Sequence, residues 1–91
     1  MEQKLFRNPA ADFAPMKNES VVFQSKTNKF CMLNGTATFI WNQLEQPRTV
    51  PELANLLCQH YDGVSVGEAA RDVEQVVQQL LSLDCLSSSP S

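Results

Sequence analysis

Few residues in this 91-residue chain could do chemistry: one histidine, His60, and three cysteines, Cys31, Cys58 and Cys85. The cysteines lie far apart and form no C-x-x-C pair, and a single histidine cannot complete a usual zinc set with them. His60 has no neighbouring nucleophile that it could activate as a base. We therefore predict no catalytic residue, no bound metal and no cofactor, and interpret the cysteines as small buried or half-buried apolar side chains.

Phosphate and nucleic-acid chemistry are equally poorly supported. Gly35, Gly63 and Gly67 are too far apart to form a phosphate-binding loop. The formal net charge is -3, and the seven basic residues are scattered rather than grouped into a patch. Arg71 is the one basic residue in the last predicted helix. We predict that nucleic acid is not a partner, although a DNA-binding regulator stays an alternative.

Composition indicates a single folded domain, since 43% of the residues are hydrophobic and 19% are charged. No stretch is long and apolar enough for a membrane span, and the first residues lack the apolar run of a signal peptide. An odd number of cysteines argues against a secreted disulfide framework. These features predict a cytoplasmic protein with no membrane partner.

Two capping boxes predict helix starts. In each, a hydroxyl residue is followed three positions later by glutamate: Thr49 with Glu52, and Ser65 with Glu68. A further helix is indicated by apolar residues at helical spacing from Ala37 onward, which must end before a proline. The three predicted helices cover residues 37 to 46, 50–61 and 66–83.

The last of these helices has an unusually wide apolar stripe, formed by Ala69, Ala70, Val73, Val76, Val77, Leu80 and Leu81. One core contact needs an arc of only about 100°. Two interpretations stay open at this point: the helix is buried on two sides of a small domain, or part of the stripe faces a partner.

The first third of the chain predicts strands. Residues 21–23 are rich in β-branched and aromatic side chains, and residues 29–33 offer a second short strand. Residues 26–28 between them suit a hairpin turn. A weaker strand over residues 13–17 contains a proline, which restricts it to an edge or an irregular stretch. Residues 29–33 fit a short edge strand that could accept another chain, and the exposed edge also allows a homodimer.

Two features of this region are less determined. The alternation does not decide whether Phe30 and Met32 or Cys31 and Leu33 turn toward the last helix. Residues 1–12 show no period, and residues 87–91 are a low-complexity tail. We predict that both ends are flexible and flank one domain over residues 13–86.

The sequence from residue 32 to 41, MLNGTATFIW, resembles the PqqD-like family, whose pattern is leucine-asparagine, small residues, then isoleucine-tryptophan. Three further segments also resemble that family. They are the opening of the second helix at residues 48–53, its close at residues 57–62, and the aspartate-valine pair at 72–73 followed by the leucines over 80–86. The resemblance covers residues 19–86. It departs at Gly35, where the family usually has an acidic residue, and at Cys85, where it usually has glycine.

This resemblance implies a winged helix-turn-helix-like α+β fold, a three-stranded antiparallel sheet followed by three helices. It also implies a non-enzymatic protein that binds the leader of a ribosomally synthesised precursor peptide as an added antiparallel strand and presents it to a modifying enzyme. That enzyme would be a radical S-adenosylmethionine (radical SAM) protein, a lasso-pathway leader protease or a cyclase. A general protein adaptor remains the other alternative.

Carried over by position, the peptide-binding residues would lie on the third strand and along the third helix. The strand would supply backbone hydrogen bonds, the helix an apolar pocket, and Asp72 or Lys29 polar anchors. The set is Lys29, Phe30, Cys31, Met32 and Leu33 on the strand, with Ala69, Asp72, Val73, Val76 and Gln79 on the helix.

Overall fold

The computed structural model describes residues 3–90, so Met1, Glu2 and Ser91 of the two predicted flexible ends lie outside the described residues. The elements follow the order β1 (Gln3–Arg7), β2 (Ala11–Pro15), β3 (Ser20–Gln24), β4 (Lys29–Leu33), α1 (Gly35–Gln43), α2 (Val50–His60), α3 (Val66–Ser82) and β5 (Leu86–Pro90). The predicted α+β class is confirmed, with three antiparallel strands followed by three helices.

The three-stranded sheet has the order β2-β3-β4, with β4 at one edge. Its pairing places Cys31 opposite Val22 and Leu33 opposite Ser20. These four side chains are buried, whereas Phe30 and Met32 on the other face of β4 are exposed. The register therefore decides what the alternation could not: Cys31 and Leu33 point into the core, because successive side chains of a strand point to opposite faces.

Helix starts follow the sequence signals closely. The Thr49 side chain accepts from the backbone of Glu52, and the Glu52 carboxylate accepts from the backbone N–H of Thr49 at 2.8 Å. These hydrogen bonds lower the pKa of Glu52. Ser65 caps α3 by accepting from the backbone of Glu68, and Asn34 caps α1 in the same way. The predicted helix positions are confirmed to within a few residues.

One core joins the inner face of the sheet to the helices. Trp41 of α1 lies at its centre, fully buried and stacked on Phe13 of β2 with ring centroids 6.1 Å apart. α3 contributes four fully buried residues, Ala69, Val73, Val77 and Leu80, while Ala70, Val76 and Leu81 at the margins of its stripe are half-buried. The wide stripe thus belongs to a central helix whose margins still reach the surface.

A second sheet pairs the two ends of the chain, and the sequence did not predict it. β1 runs antiparallel to β5, and the backbone of Leu5 exchanges hydrogen bonds with that of Arg48 at 2.7 and 3.0 Å. Arg7 donates to the Trp41 carbonyl at 2.7 Å with its guanidinium 5.0 Å from the indole ring centre. Regular structure therefore extends past residues 13–86 at both ends. Leu5 and Leu86 are buried, so these strands are held by tertiary contacts that leave no local periodicity in the sequence.

Within residues 3–90, no helix is long and apolar enough to cross a bilayer. The same residues contain no group of three or more histidine, cysteine, aspartate or glutamate side chains placed to hold a metal ion.

Candidate functional site

The outer edge of β4 is unpaired backbone at the predicted site. Among residues 3–90, the only strand paired with β4 is β3, so every second backbone N–H and C=O of β4 points away from the sheet. Such an edge can accept an added strand, because its unpaired groups match the spacing of another extended chain.

α3 lies alongside this edge and runs in the opposite direction to β4. At the Leu33 end of β4, a shallow cleft of about 170 Å³ is lined by Asn34, Thr36, Asp72, Gln75 and Val76. At the other end, Gln24, the cross-strand partner of Lys29, donates a side-chain hydrogen bond to the carbonyl of Asp84, just past the end of α3. α3 therefore passes the Leu33 end of β4 near Asp72 and the Lys29 end just beyond Ser82. We call the cleft, together with the side of α3 that carries Asp72, Val76 and Gln79, the groove; none of residues 29–33 lines the cleft itself.

The predicted strand residues divide between the two faces of the sheet. Lys29 is exposed and lies on the same, inner face of β4 as Cys31 and Leu33, both of which are buried. Phe30 and Met32 retain 64% and 48% of their surface in contact with solvent, but on the opposite face of the sheet. The strand residues thus divide between two surfaces instead of forming one.

The helix residues divide in a similar way. Ala69 and Val73 are completely buried in the core, so their side chains are not accessible at the surface of this structure. Asp72 and Gln79 are exposed and Val76 is half-buried. In their place, the cleft brings Asn34, Thr36 and Gln75 next to Asp72 and Val76. Gln75 could have been identified from its spacing of three positions from Asp72, which puts both on one helix face.

The outer face of the three-stranded sheet is unusually apolar for a solvent-facing surface. Its cross-strand rows pair Phe23 with Phe30 and Val21 with Met32. The exposed large hydrophobic residues of the described chain are Met16, Phe23, Phe30, Met32 and Val66, and three of these five lie in the two rows. We call the group Val21, Phe23, Phe30 and Met32 the outer apolar face. A contiguous patch of this kind is typical of a protein-binding surface.

A larger groove, about 680 Å³, lies on a different side of the molecule, between β1, α2 and α3. Its walls include Leu5, Val50, Ala54, Ala70 and Leu81. It does not include any residue of β4, and the β1 strand that borders it is paired with β5 and, at Leu5, with Arg48. Size alone favours it as a ligand site, but the β4 edge has the backbone chemistry for recognising a peptide chain.

The cysteines have no features of reactive thiols. Burial raises the pKa of Cys31 and of Cys85, which keeps both protonated near neutral pH. Cys58 is half-buried and all three are free. His60 is exposed and stacks on Phe39 with ring centroids 4.3 Å apart, as expected for a structural residue at a helix end.

Comparison with known proteins gives one family and one fold. The family described as Coenzyme PQQ synthesis protein D (PqqD) matches residues 19–86. The solved complex of TbiB1 with the TbiA(beta) leader peptide is 21% identical with a TM-score of 0.81, covering 94% of this chain and 99% of that one. Lasso peptide synthetase B1 complexed with the leader peptide is 23% identical with a TM-score of 0.74, covering 99% and 100%. No curated protein matches the sequence.

Proposed function

This chain belongs to the PqqD family, and from that premise we propose that it binds the leader segment of a ribosomally synthesised precursor peptide by strand addition to β4. The family consists of non-catalytic binding proteins. The two solved structures compared above, TbiB1 and lasso peptide synthetase B1, are complexes with leader peptides. The observation that carries the proposal is the open edge of β4 beside the groove along α3.

In this mechanism, residues 29–33 donate and accept the backbone hydrogen bonds that fix the register of the leader. Inward-facing leader side chains enter the groove, where Val76 offers apolar contact and Asp72 and Gln79 offer polar contact. Ala69 and Val73 are buried in the core on the same helix and would hold α3 in place beside the sheet. Strand addition suits a binding protein with many substrates of one type, because backbone bonds supply affinity independently of sequence.

The outer apolar face supplies a second surface, which a presenting protein needs. The second partner would be the modifying enzyme, a radical SAM protein, a leader protease or a cyclase, docked against Phe23, Phe30 and Met32. Simultaneous binding raises the effective concentration of the core peptide at the enzyme without this chain taking part in the reaction. Buried, unpaired Cys31 and Cys85 fit a reducing cytoplasm as the place where this occurs.

The surface of α3 supports a peptide partner over a DNA partner. Glu68, Asp72 and Glu74 are exposed along it, against one exposed base, Arg71. A recognition helix in a major groove would bring these carboxylates close to phosphates.

The test is titration of the protein with a synthetic leader from the nearest encoded short precursor, followed by amide chemical shifts. We expect micromolar or tighter binding, with the largest shifts over residues 29–33 and at Asp72, Gln75, Val76 and Gln79. The Leu5–Val50–Ala70 side of the molecule serves as the internal control and should not respond. Binding that shifts only that side would contradict strand addition.

A further inference from the structure

The backbone of the central strand, β3, bonds alternately to its two neighbours, and the hydrogen bonds beyond its ends show in which order. The N–H of Ser25 donates to the carbonyl of Ala10 at 3.1 Å, and that of Met16 donates to the carbonyl of Glu19 at 2.8 Å. Both pairs continue the register of the β2–β3 ladder, in which hydrogen-bonded pairs alternate with pairs that are not hydrogen-bonded. Every second residue of β3, counted from Ser25 to Phe23 and onward, therefore turns its N–H and C=O toward β2.

The same alternation identifies the free groups of β4. The remaining residues of β3 turn their N–H and C=O toward β4, where they lie opposite Lys29, Cys31 and Leu33. Phe30 and Met32 lie between these positions, so their own N–H and C=O groups point away from β3. Among residues 3–90, β4 pairs with no other strand. The open edge therefore offers the backbone groups of Phe30 and of Met32.

These groups are self-complementary when two copies of β4 meet antiparallel about a symmetry axis at Cys31. Phe30 of each copy then lies opposite Met32 of the other, and a pair of this kind exchanges both of its N–H···O=C hydrogen bonds. Every free group on both edges is satisfied. All of the pairing stays within Lys29–Leu33, the extent of the strand. Such an interface is closed, because the same surface of each copy is used once.

Neighbouring symmetric registers satisfy the edge less well. An axis at Phe30 would place Met32 opposite Asn28, whose φ of 58° is left-handed rather than extended. An axis at Met32 would place Phe30 opposite Asn34, whose carbonyl already accepts a backbone hydrogen bond of α1 at 2.8 Å. The register centred on Cys31 is the one in which all pairing groups are both extended and free.

The side chains agree with this register. Residues directly opposite each other in an antiparallel pair carry their side chains on the same face. The row of Phe23 and Phe30 in one copy therefore continues into the row of Met32 and Val21 in the second, which extends the outer apolar face across both. Methionine sulfur packs favourably against aromatic rings. Lys29, the one charged residue of β4, is kept apart from its counterpart at the other end of the paired strands.

We propose that β4 pairs with β4 of a second copy of this chain when no leader occupies it, in the antiparallel register centred on Cys31. The second copy takes the edge that the leader would take, and in this respect the inference rests on the proposed function. Leader and second copy exclude each other, so leader binding separates the dimer. Two paired five-residue strands form a small contact beside the roughly 1,600 Å² of a typical stable interface, so the dimer is weak and reversible.

The test uses two double variants at the exposed positions Phe30 and Met32. The like-charge variant, Phe30→Lys with Met32→Lys, places lysine opposite lysine in this register. The opposite-charge variant, Phe30→Lys with Met32→Glu, places lysine opposite glutamate. Both lose the same two apolar side chains, so each is the matched control of the other, and urea unfolding of both checks that they fold.

Sedimentation equilibrium measures the association. We expect the mass of the natural chain to rise from monomer toward dimer as its concentration increases. At low salt the opposite-charge variant should dimerise about tenfold more tightly than the like-charge variant, because facing charges across paired strands attract when opposite and repel when alike. High salt should narrow this difference. A leader that shifts the β4 amides should return the natural chain to one copy per leader.

The outcomes separate this inference from the proposed function. A natural chain that stays monomeric at every concentration, or equal association of the two variants, overturns the β4 dimer and leaves strand addition intact. A leader that shifts residues 29–33 without separating the dimer overturns the exclusion of one by the other. A leader that shifts none of these amides overturns strand addition, whereas tighter association of the opposite-charge variant would still support the dimer.

Discussion

The two faces of the β2-β3-β4 sheet are almost equally apolar but differ in what covers them. The inner face buries Val22, Cys31 and Leu33 against the helices, while the outer face leaves Phe23 and Phe30 in solvent. Residues on the two faces alternate along the same strands, so strand propensity does not distinguish them. The difference shows that the hydrophobic residues of β4 fall into two sets: one is buried in the core and stabilises the fold, and the other is left exposed to solvent.

The largest expected effect separates these two uses within one strand. Leu33 is 1% exposed, so Leu33→Ala should lower the free energy of unfolding by about 2–5 kcal/mol through lost burial and a cavity. Its neighbour Met32 is 48% exposed, and Met32→Ala should change the free energy of unfolding by about 0.5 kcal/mol or less. Urea unfolding of both variants measures the contrast. Equal losses would mean that the outer side chains are also part of the folding core.

The next largest effect tests whether the outer apolar face binds the modifying enzyme. Phe23→Gln, on the central strand away from the leader, should weaken binding of the modifying enzyme about tenfold, since exposed aromatic residues dominate such interfaces. Affinity for the leader should stay within about twofold. Val66→Gln is the matched control, because Val66 is 59% exposed but lies at the start of α3. Equal losses of enzyme binding in the two variants would contradict a specific docking role for the sheet.

The smallest effect concerns Asp84, a residue in a strained backbone conformation just after the end of α3. α3 ends in a Schellman motif in which the N–H of Cys85 bonds to the carbonyl of Leu80 and that of Asp84 to Leu81. Asp84 occupies the left-handed position with φ of 58°, where glycine is usual. Asp84→Gly should therefore raise the free energy of unfolding by about 0.5–1 kcal/mol, whereas Asp84→Ala should lower it. A thermal or urea transition that moves the same way for both variants would contradict this explanation.

Much of the fold could be predicted because its signals are local. The boxes at Thr49 and Ser65 mark two helix starts, and the predicted strand at residues 29–33 coincides with β4. The β1–β5 sheet could not be predicted, since pairing between the first and last residues depends on packing of Leu5 and Leu86 and leaves no periodic pattern.

The candidate site was only partly predictable for a related reason. A strand shows which residues share a face but not which face is covered, so Phe30 and Met32 were grouped with Cys31 until the register separated them. The helical stripe likewise gave the apolar positions of α3 but not their depth. Ala69 and Val73 are fully buried, and polar Gln75 borders the cleft instead.

The most direct test of strand addition is measurement of cross-strand nuclear Overhauser effects between an isotope-labelled leader and this chain. We expect contacts between backbone protons of the leader and those of residues 29–33, in an antiparallel register that places an inward leader residue beside Val76. Contacts that instead connect a bound leader to Leu5, Val50 and Ala70, with none to β4, would contradict it.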